Sequence, residues 1–247
     1  MGQWLFPPCN FGFKLTLRWF SDFTVEGQEN IPKCGPLLVA SNHLSNLDPA
    51  IVAAALPRPP VFLAKQELFK YPIGSTLMRG YGAFPVDRRR ADIRALNWIT
   101  HQLLRESRIA IIFPEGTRSK SGGLLRAQHG LARIAISTGV PVVPVSLTGS
   151  ENLQNPLKVL KPTATLRLKI GKPFVATGSD VGTSRSIAAD VTTEIMSRIS
   201  RMLPEAQRGE YADVTDMNTP NTLDYVHSSD KEAVSYTHLT LPTTPYV

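Results

Sequence analysis

The sequence predicts an α/β domain with a central, mostly buried sheet flanked by helices. Short apolar runs typical of buried strands alternate along the chain with longer runs of helical periodicity. Hydrophobic residues make up 42% of the 247 residues, which is enough for one core but too little for a protein that crosses a membrane several times. We therefore expect a single domain at residues 24–204, with a further segment at each end.

The predicted elements follow one another in a regular order. The strand-like runs cover residues 37–41, 61–64, 83–86, 109–113, 142–147 and 164–170. The helix-like runs cover residues 49–56, 72–78, 91–105, 128–138 and 185–203. Because helices separate most of the strands, we expect helical connections packed on the faces of the sheet.

Residues 1–23 form an unusual N-terminal segment, with five of the ten Phe and two of the three Trp. A helix here would place Phe11 and Trp19 on one side and Phe13 on the other, with Lys14 and Arg18 as a narrow basic stripe. One interpretation is a segment that lies in the membrane interface, with aromatic anchors and basic contacts to lipid head groups. The alternative is a helix packed against the domain.

Residues 205–247 form an acidic, polar tail in which the hydrophobic periodicity stops. They contain seven Asp and Glu but only two Lys and Arg, so we expect disorder. The run at 234–244, VSYTHLTLPTT, resembles a translated sequencing adaptor. We expect residues 234–247 to be a read-through artefact.

Charge and cysteine content narrow the functional classes. The net charge is +7, and the basic residues are concentrated before residue 205, which suits anionic lipid or a phosphorylated substrate. No motif resembles a nucleic-acid module, so we expect no nucleic acid as a partner. Cys9 and Cys34 form neither a disulfide framework nor a zinc set, and a reducing compartment is expected. No apolar run is long enough for a membrane-spanning helix.

The first chemical motif is the run at 42–49, NHLSNLDP, which follows an apolar strand and precedes a helix. Neutral imidazole can accept a proton near pH 7, and a nearby carboxylate can orient it and stabilise the imidazolium. We therefore take His43 as a candidate base and Asp48 as its partner. The alternatives are a loop histidine with structural contacts only and an aspartate that caps the following helix ahead of Pro49.

Two further motifs place charge at strand ends. The run at 113–119, FPEGTRS, follows a buried strand and offers a glycine for close backbone approach, hydroxyl donors and Arg118, whose guanidinium can fork onto phosphate oxygens. The alternative is a polar turn with Glu115 and Arg118 paired to each other. The run at 82–88, GAFPVDR, delivers Arg88, whereas the neighbouring Arg89 and Arg90 are typical of a solvated charge run.

The order of these motifs resembles the glycerolipid acyltransferase family, whose best-known members are the 1-acylglycerol-3-phosphate acyltransferases. The resemblance covers roughly residues 24–175 and comprises His43-x4-Asp48, Gly82-x5-Arg88, the FPEGTR run and the VPVVPV run at 140–145. It implies that His43 deprotonates the acceptor hydroxyl and that Asp48 orients His43. It also implies substrate contacts from seven residues: Asn42, Lys65, Arg88, Glu115, Gly116, Thr117 and Arg118.

One departure from the family pattern is visible. Many relatives carry a basic residue two positions before the glycine equivalent to Gly130, where this chain has Gln128. A phosphate contact from that loop is therefore not expected here. His129 is a further candidate for the same cleft, and His101 is expected on the surface of a long helix.

The resemblance implies acyl transfer from acyl-CoA or acyl-carrier protein to the sn-2 hydroxyl of 1-acylglycerol 3-phosphate (lysophosphatidic acid), which forms phosphatidic acid. Other acceptors, such as glycerol 3-phosphate or another lysolipid, remain open, as do a non-catalytic lipid-binding protein and an esterase. A thioester is already activated, so no metal or cofactor is expected. The nucleophile elbow G-x-S-x-G of α/β-hydrolases is absent. We expect a cytoplasmic protein that is peripheral on the inner face of the cell membrane.

Overall fold

The structure is a computed structural model that describes residues 3–87, 92–177, 185–214 and 222–225. The strands are β1 (Asp22–Glu26), β2 (Leu37–Ser41), β3 (Pro60–Lys65), β4 (Ala83–Val86), β5 (Ile109–Ile112), β6 (Val142–Thr148), β7 (Thr165–Ile170), β8 (Phe174–Ala176) and β9 (Thr222–Asp224). The helices are α1 (Phe6–Phe20), α2 (Asp48–Ala55), α3 (Pro72–Tyr81), α4 (Ile93–Leu104), α5 (Gly130–Thr138) and α6 (Arg185–Met202).

The strands form one sheet in the order β1-β7-β6-β2-β5-β3-β4, with β8 and β9 attached beside β6. β2 lies at the centre and is parallel to both neighbours, with Leu38 opposite Val142 of β6 and Leu37 opposite Ile109 of β5. β3 and β4 continue the parallel set, whereas β7 is antiparallel to β6. The carboxyl ends of five parallel strands therefore meet at one edge of the sheet, where sites commonly lie in such folds.

Helices cover both faces of the sheet, which gives two apolar cores. On one face, α1 and α2 pack over alternate strand residues such as Val39 and Val143. On the other face, α4, α5 and α6 pack over the intervening residues such as Leu38 and Val142. β2 is buried along its whole length because both of its faces are covered. The predicted fold class is confirmed.

The six predicted strands and five predicted helices are all present, but three short strands were not anticipated. β1 begins at Asp22, inside the segment that the sequence assigned to the N-terminal region, and its exposed residues alternate with half-buried ones. β8 and β9 have three residues each. Short edge strands carry too few apolar residues to give a clear periodic signal.

The segment after α6 differs from the expected tail. Residues 205–207 and 209–211 form two 3-10 turns that pack on the body of the domain, and residues 222–224 pair with β8. Residues 205–214 are therefore a folded part of the structure. The suspected artefact at 234–247 lies outside the described residues.

The N-terminal helix α1 combines features of both interpretations of residues 1–23. Phe6, Phe13 and Leu17 are buried in the core that α1 shares with the sheet. The rings of Phe6 and Tyr81 are in contact, with their centroids 5.2 Å apart. Phe11 and Trp19 face solvent, together with Lys14 and Arg18. Within the described ranges, none of the helices combines the length and apolar composition needed to cross a bilayer.

Candidate active site

The candidate site lies where β2 and β5 end, at the carboxyl edge of the parallel strands. The loop after β2 carries His43, and the loop after β5 carries Glu115 and Arg118. Because β2 and β5 are adjacent and in register, the two loops are neighbours. Two hydrogen bonds join them, from the His43 N–H to Glu115 Oε1 at 2.9 Å and from the Ser119 N–H to the His43 carbonyl at 2.8 Å.

His43 and Asp48 are in direct contact. Nδ1 of His43 lies 2.9 Å from Oδ2 of Asp48, and the side chains are 8% and 0% exposed. An ionised carboxylate only accepts hydrogen bonds, so Nδ1 carries the proton and Nε2 keeps a free lone pair. Nε2 has no hydrogen-bond partner among the described residues. This is the tautomer that a general base requires.

Asp48 is held by a dense set of donors. Besides His43, Oδ2 accepts from the N–H groups of Leu44 at 2.5 Å and Ser45 at 2.7 Å. Oδ1 accepts from the hydroxyls of Ser45 at 2.6 Å and Ser150 at 2.7 Å. Five donors compensate for the burial of one negative charge, which would otherwise be strongly unfavourable.

The helix-cap interpretation of Asp48 is wrong. Asp48 is the first residue of α2, and the capping position belongs to Leu47, which makes no side-chain cap. The carboxylate turns back to the N–H groups of Leu44 and Ser45, which precede the helix. The Asp-Pro pair still begins the helix, since Pro49 occupies the first turn, where its missing N–H is not needed.

Aromatic packing fixes the imidazole from the other side. The ring of Phe113 stacks on His43 with centroids 4.2 Å apart and planes inclined by 24°. The ring is therefore held by a carboxylate at Nδ1 and by an aromatic face. Such a preorganised base loses little conformational freedom when it acts.

Glu115 occupies an internal position between two loops. It is 4% exposed, and its two oxygens accept from the N–H groups of His43 and Leu125, each at 2.9 Å. Burial raises its pKa from 4.5 to about 7, the two N–H donors oppose that shift, and the charge of Asp48 adds to it. Glu115 does not pair with Arg118. Both oxygens are engaged within the protein, so Glu115 joins the two loops, and its expected substrate contact stays a prediction.

Asn42 is also engaged internally. Its amide N–H donates to the Leu147 carbonyl and its amide oxygen accepts from the Leu147 N–H, both at 2.8 Å. The side chain is buried and bonds to β6 as a strand backbone would. Asn42 thereby fixes the start of the His43 loop, and its expected substrate contact stays a prediction.

Arg118 is the cation that the structure places beside the His43 loop. One guanidinium N–H donates to Gln154 Oε1 at 2.7 Å, and Gln154 in turn donates to the Leu44 carbonyl at 2.6 Å. Its other guanidinium N–H groups have no partner within the part of the chain that is described. Gly116 and Thr117, in the same turn, are exposed, and Gly116 has a φ of 69° that favours glycine.

The remaining candidate residues from the sequence are not in contact with the His43–Asp48 pair within the described part of the chain. Lys65 ends β3, which is separated from β2 by β5, and its amine lies 3.4 Å from Glu67. Arg88, Arg89 and Arg90 lie outside the described residues. His129 Nδ1 contacts the Thr192 hydroxyl at 3.0 Å on α6, so it serves the packing of α5 on α6. His101 is exposed on α4, as expected.

Ser150 and Gln154 were not anticipated from the sequence. Both lie in the loop after β6; Ser150 is 102 positions from Asp48 in the sequence, and Gln154 is 110 positions from Leu44. No three His, Cys, Asp or Glu side chains within the described ranges are grouped in a way that could hold a metal ion. The site thus consists of an oriented imidazole, a compensated carboxylate and an adjacent cation at an exposed turn.

This fold and site define a member of the acyltransferase family. The family profile described as Acyltransferase matches residues 22–148, slightly more than half of the chain, and the chain belongs to that family. The match spans β1 to β6 and therefore includes both site loops.

Proteins with similar sequences carry more specific names. A 1-acyl-sn-glycerol-3-phosphate acyltransferase of Borreliella burgdorferi is 33% identical over 134 residues, which cover 52% of each chain. The 1-acyl-sn-glycerol-3-phosphate acyltransferase beta of Homo sapiens is 29% identical over 63% of this chain and 57% of the relative. The chain spans about half the length of the curated relatives that it matches.

A solved structure shares the fold. The crystal structure of the 1-acyl-sn-glycerophosphate (LPA) acyltransferase PlsC from Thermotoga maritima is similar with a TM-score of 0.60 and 29% identity. The similarity covers 80% of this chain and 78% of that one. The resemblance expected from the four sequence motifs is confirmed.

Proposed function

We propose that this chain catalyses acyl transfer from a thioester donor to the sn-2 hydroxyl of 1-acylglycerol 3-phosphate, which yields phosphatidic acid. The observation that carries the proposal is the contact of His43 Nδ1 with Asp48 Oδ2, which leaves Nε2 as a free base. The names of the relatives and of the structural neighbour support the choice of acceptor.

In the proposed reaction, Nε2 of His43 removes the proton from the acceptor hydroxyl while its oxygen attacks the thioester carbonyl. The resulting imidazolium is stabilised by the negative charge of Asp48. The tetrahedral intermediate collapses with cleavage of the carbon–sulfur bond, and the thiolate leaves with the proton from His43. His43 thereby returns to its starting state, and no covalent acyl-enzyme is required.

Arg118 is proposed to bind the acceptor phosphate. Its free guanidinium N–H groups lie at an exposed turn next to the His43 loop, and Gln154 holds one edge of the guanidinium in place. A planar, preoriented guanidinium suits bidentate binding of phosphate oxygens. Lys65, at the end of β3, and Arg88, which lies outside the described residues, remain proposed secondary contacts.

The proposed setting is the inner face of the cell membrane, with acyl-CoA or acyl-carrier protein as donor. The support is a set of exposed apolar residues on α1, with Lys14 and Arg18 beside them. Such a surface combines apolar insertion with attraction to anionic head groups.

The test is an acyl-transfer assay in which purified protein is incubated with labelled acyl-CoA or acyl-carrier protein and a panel of acceptors. We expect labelled phosphatidic acid from lysophosphatidic acid and much less labelled product from glycerol 3-phosphate or from a lysolipid without the terminal phosphate. Release of free fatty acid without transfer would indicate an esterase. Binding of lysophosphatidic acid without turnover would indicate a lipid-binding protein.

A further inference from the structure

The folded segment after α6 contacts the loop that follows the FPEGTR motif. The Leu124 N–H donates to the Gln207 carbonyl at 3.0 Å, and the Glu210 N–H donates to the Leu124 carbonyl at 3.1 Å. Gly123 and Gly209 meet so closely that a Cβ on Gly123 would lie 3.3 Å from the Gly209 Cα. Residues 205–211, here called the C-terminal clamp, thus contact Gly123 and Leu124 through their backbone atoms.

Tyr211 is the side chain through which the clamp holds this loop. Its hydroxyl accepts a hydrogen bond from the Ala127 N–H at 3.0 Å, and its carbonyl accepts from the Ser200 hydroxyl at 2.9 Å on α6. The ring packs against the core between the sheet and α4–α6. Ala127 is 6% exposed, so without Tyr211 its N–H would have little access to water.

The loop at residues 124–128 is connected to His43 by hydrogen bonds through Glu115. The Leu125 N–H donates to one oxygen of Glu115, and the other oxygen accepts from the His43 N–H. In addition, the Gln128 N–H donates to the Pro114 carbonyl at 2.8 Å. A shift of residues 124–128 would therefore move Glu115 and, with it, the backbone of His43.

A second path leads from the clamp to the carboxylate. The Gln207 side chain donates to Glu151 Oε1 at 2.9 Å. Glu151 is next to Ser150, whose hydroxyl donates to Asp48 Oδ1 at 2.7 Å. Both members of the His43–Asp48 pair are thus connected to the same segment, through loops that come from different strands.

We propose that the C-terminal clamp is a positioning element of the catalytic site, with Tyr211 and Gln207 as positioning residues that act on His43 through Glu115 and on Asp48 through Glu151. The inference rests on the proposed acyl transfer and adds to it a part of the chain beyond the region matched by the acyltransferase family. It also assigns a role to residues that the sequence pattern places in an acidic tail.

The substitution Tyr211→Phe tests the proposal, because it keeps the packed ring and removes the acceptor of the Ala127 N–H. We expect kcat for acyl transfer to fall roughly tenfold or more, since small displacements of a catalytic group are costly. The KM for lysophosphatidic acid should change less than about threefold because Arg118 is not on either path. Tyr71→Phe, which removes an exposed hydroxyl, is the matched control and should leave kcat unchanged.

Hydrogen exchange gives a readout that does not depend on turnover. In the Tyr211→Phe protein, the amides of residues 124–128 should exchange faster than in the wild type, whereas those of β2 should not. Gln207→Ala provides a second variant if Tyr211→Phe unfolds, with the same expected fall in kcat.

Unchanged kcat together with unchanged exchange in folded Tyr211→Phe and Gln207→Ala proteins would overturn the proposal. A uniform loss of stability with normal kcat would also overturn it, because the segment would then serve packing alone. If the wild-type protein transfers no acyl group, the proposed function fails. In that case, normal exchange at residues 124–128 in Tyr211→Phe would separately show that the clamp does not hold the loop.

Discussion

His43 Nδ1 and Asp48 Oδ2 lie 2.9 Å apart because Asp48, the first residue of α2, directs its carboxylate back toward the loop that precedes the helix. The four-residue loop between them turns back so that the N–H groups of Leu44 and Ser45 bind the same carboxylate. One residue therefore begins α2, closes the loop and orients the imidazole.

Substitution of Asp48 separates these roles. In Asp48→Asn, the amide oxygen can replace Oδ2, and the amide N–H groups can face the hydroxyls of Ser45 and Ser150, which can rotate to accept. We therefore expect a small loss of thermal stability and a fall in kcat of ~10²-fold or more, since a neutral amide cannot stabilise imidazolium. Asp48→Ala should also lower the melting temperature markedly because its buried donors lose their acceptor. Wild-type kcat in Asp48→Asn would exclude the carboxylate from catalysis.

Substitution of Arg118 tests whether this residue binds the acceptor phosphate. We expect Arg118→Ala to raise the KM for lysophosphatidic acid roughly 10- to 100-fold, the range that follows from losing a charge-assisted hydrogen bond. The KM for the acyl donor should change little. Arg118→Lys should restore only part of the affinity because an ammonium cannot reproduce the planar fork. Arg105→Ala, an exposed site at the far end of α4, is the control. Equal increases in both KM values would argue for a general disturbance of the site.

The raised pKa of Glu115 predicts that the free energy of unfolding depends on pH in a specific direction. Its pKa is raised from 4.5 to about 7, chiefly by burial. Between these values the folded protein binds more protons than the unfolded chain, so the contribution of Glu115 to stability falls as pH rises through this interval. Glu115→Gln removes this titration. The free energy of unfolding of the wild type relative to Glu115→Gln should therefore fall by up to roughly 3 kcal/mol between pH 4.5 and pH 8. Urea unfolding at several pH values measures this difference, and parallel pH profiles for the two proteins would contradict it.

The exposed aromatics of α1, together with Trp4 just before the helix, predict where the membrane contact lies. Trp4, Phe11 and Trp19 are 64%, 73% and 67% exposed, so their replacement by serine should leave the core intact. We expect the triple variant to dissociate from anionic vesicles and to keep turnover with short-chain, water-soluble acceptors. Ile93→Ser, an equally exposed apolar site on the opposite face of the sheet, should bind vesicles as the wild type does. A folded triple variant that still binds would place the membrane contact elsewhere. Phe6 is not a suitable target because it is buried against Tyr81.

The sequence alone predicted those elements and site loops whose residues lie close together along the chain. Continuous apolar runs predicted β2, β5 and β6 because strands covered on both faces admit few polar residues. The spacing of His43 and Asp48, with the motif at 113–119, located both loops of the site. The family resemblance then supplied expected roles, which composition alone would not have given.

Contacts between distant parts of the chain were not predictable in this way. Ser150 and Gln154 have ordinary loop neighbours in the sequence, and their importance appears only when the end of β6 lies beside the end of β2. Glu115 carries the charge expected of a substrate contact, yet folding buries it between two backbone N–H groups. Tyr211 lies in an acidic region without periodicity, where a single half-buried tyrosine gives no pattern.

The turnover of His43→Ala shows whether His43 is the general base. With labelled acyl-CoA or acyl-carrier protein and lysophosphatidic acid, we expect kcat to fall by ~10²–10⁴-fold, the usual contribution of a general base, while the circular dichroism spectrum is unchanged. His101→Ala, at an exposed position on α4, serves as the matched control and should keep wild-type turnover. A folded His43→Ala protein that transfers acyl groups at the wild-type rate would show that His43 is not the base.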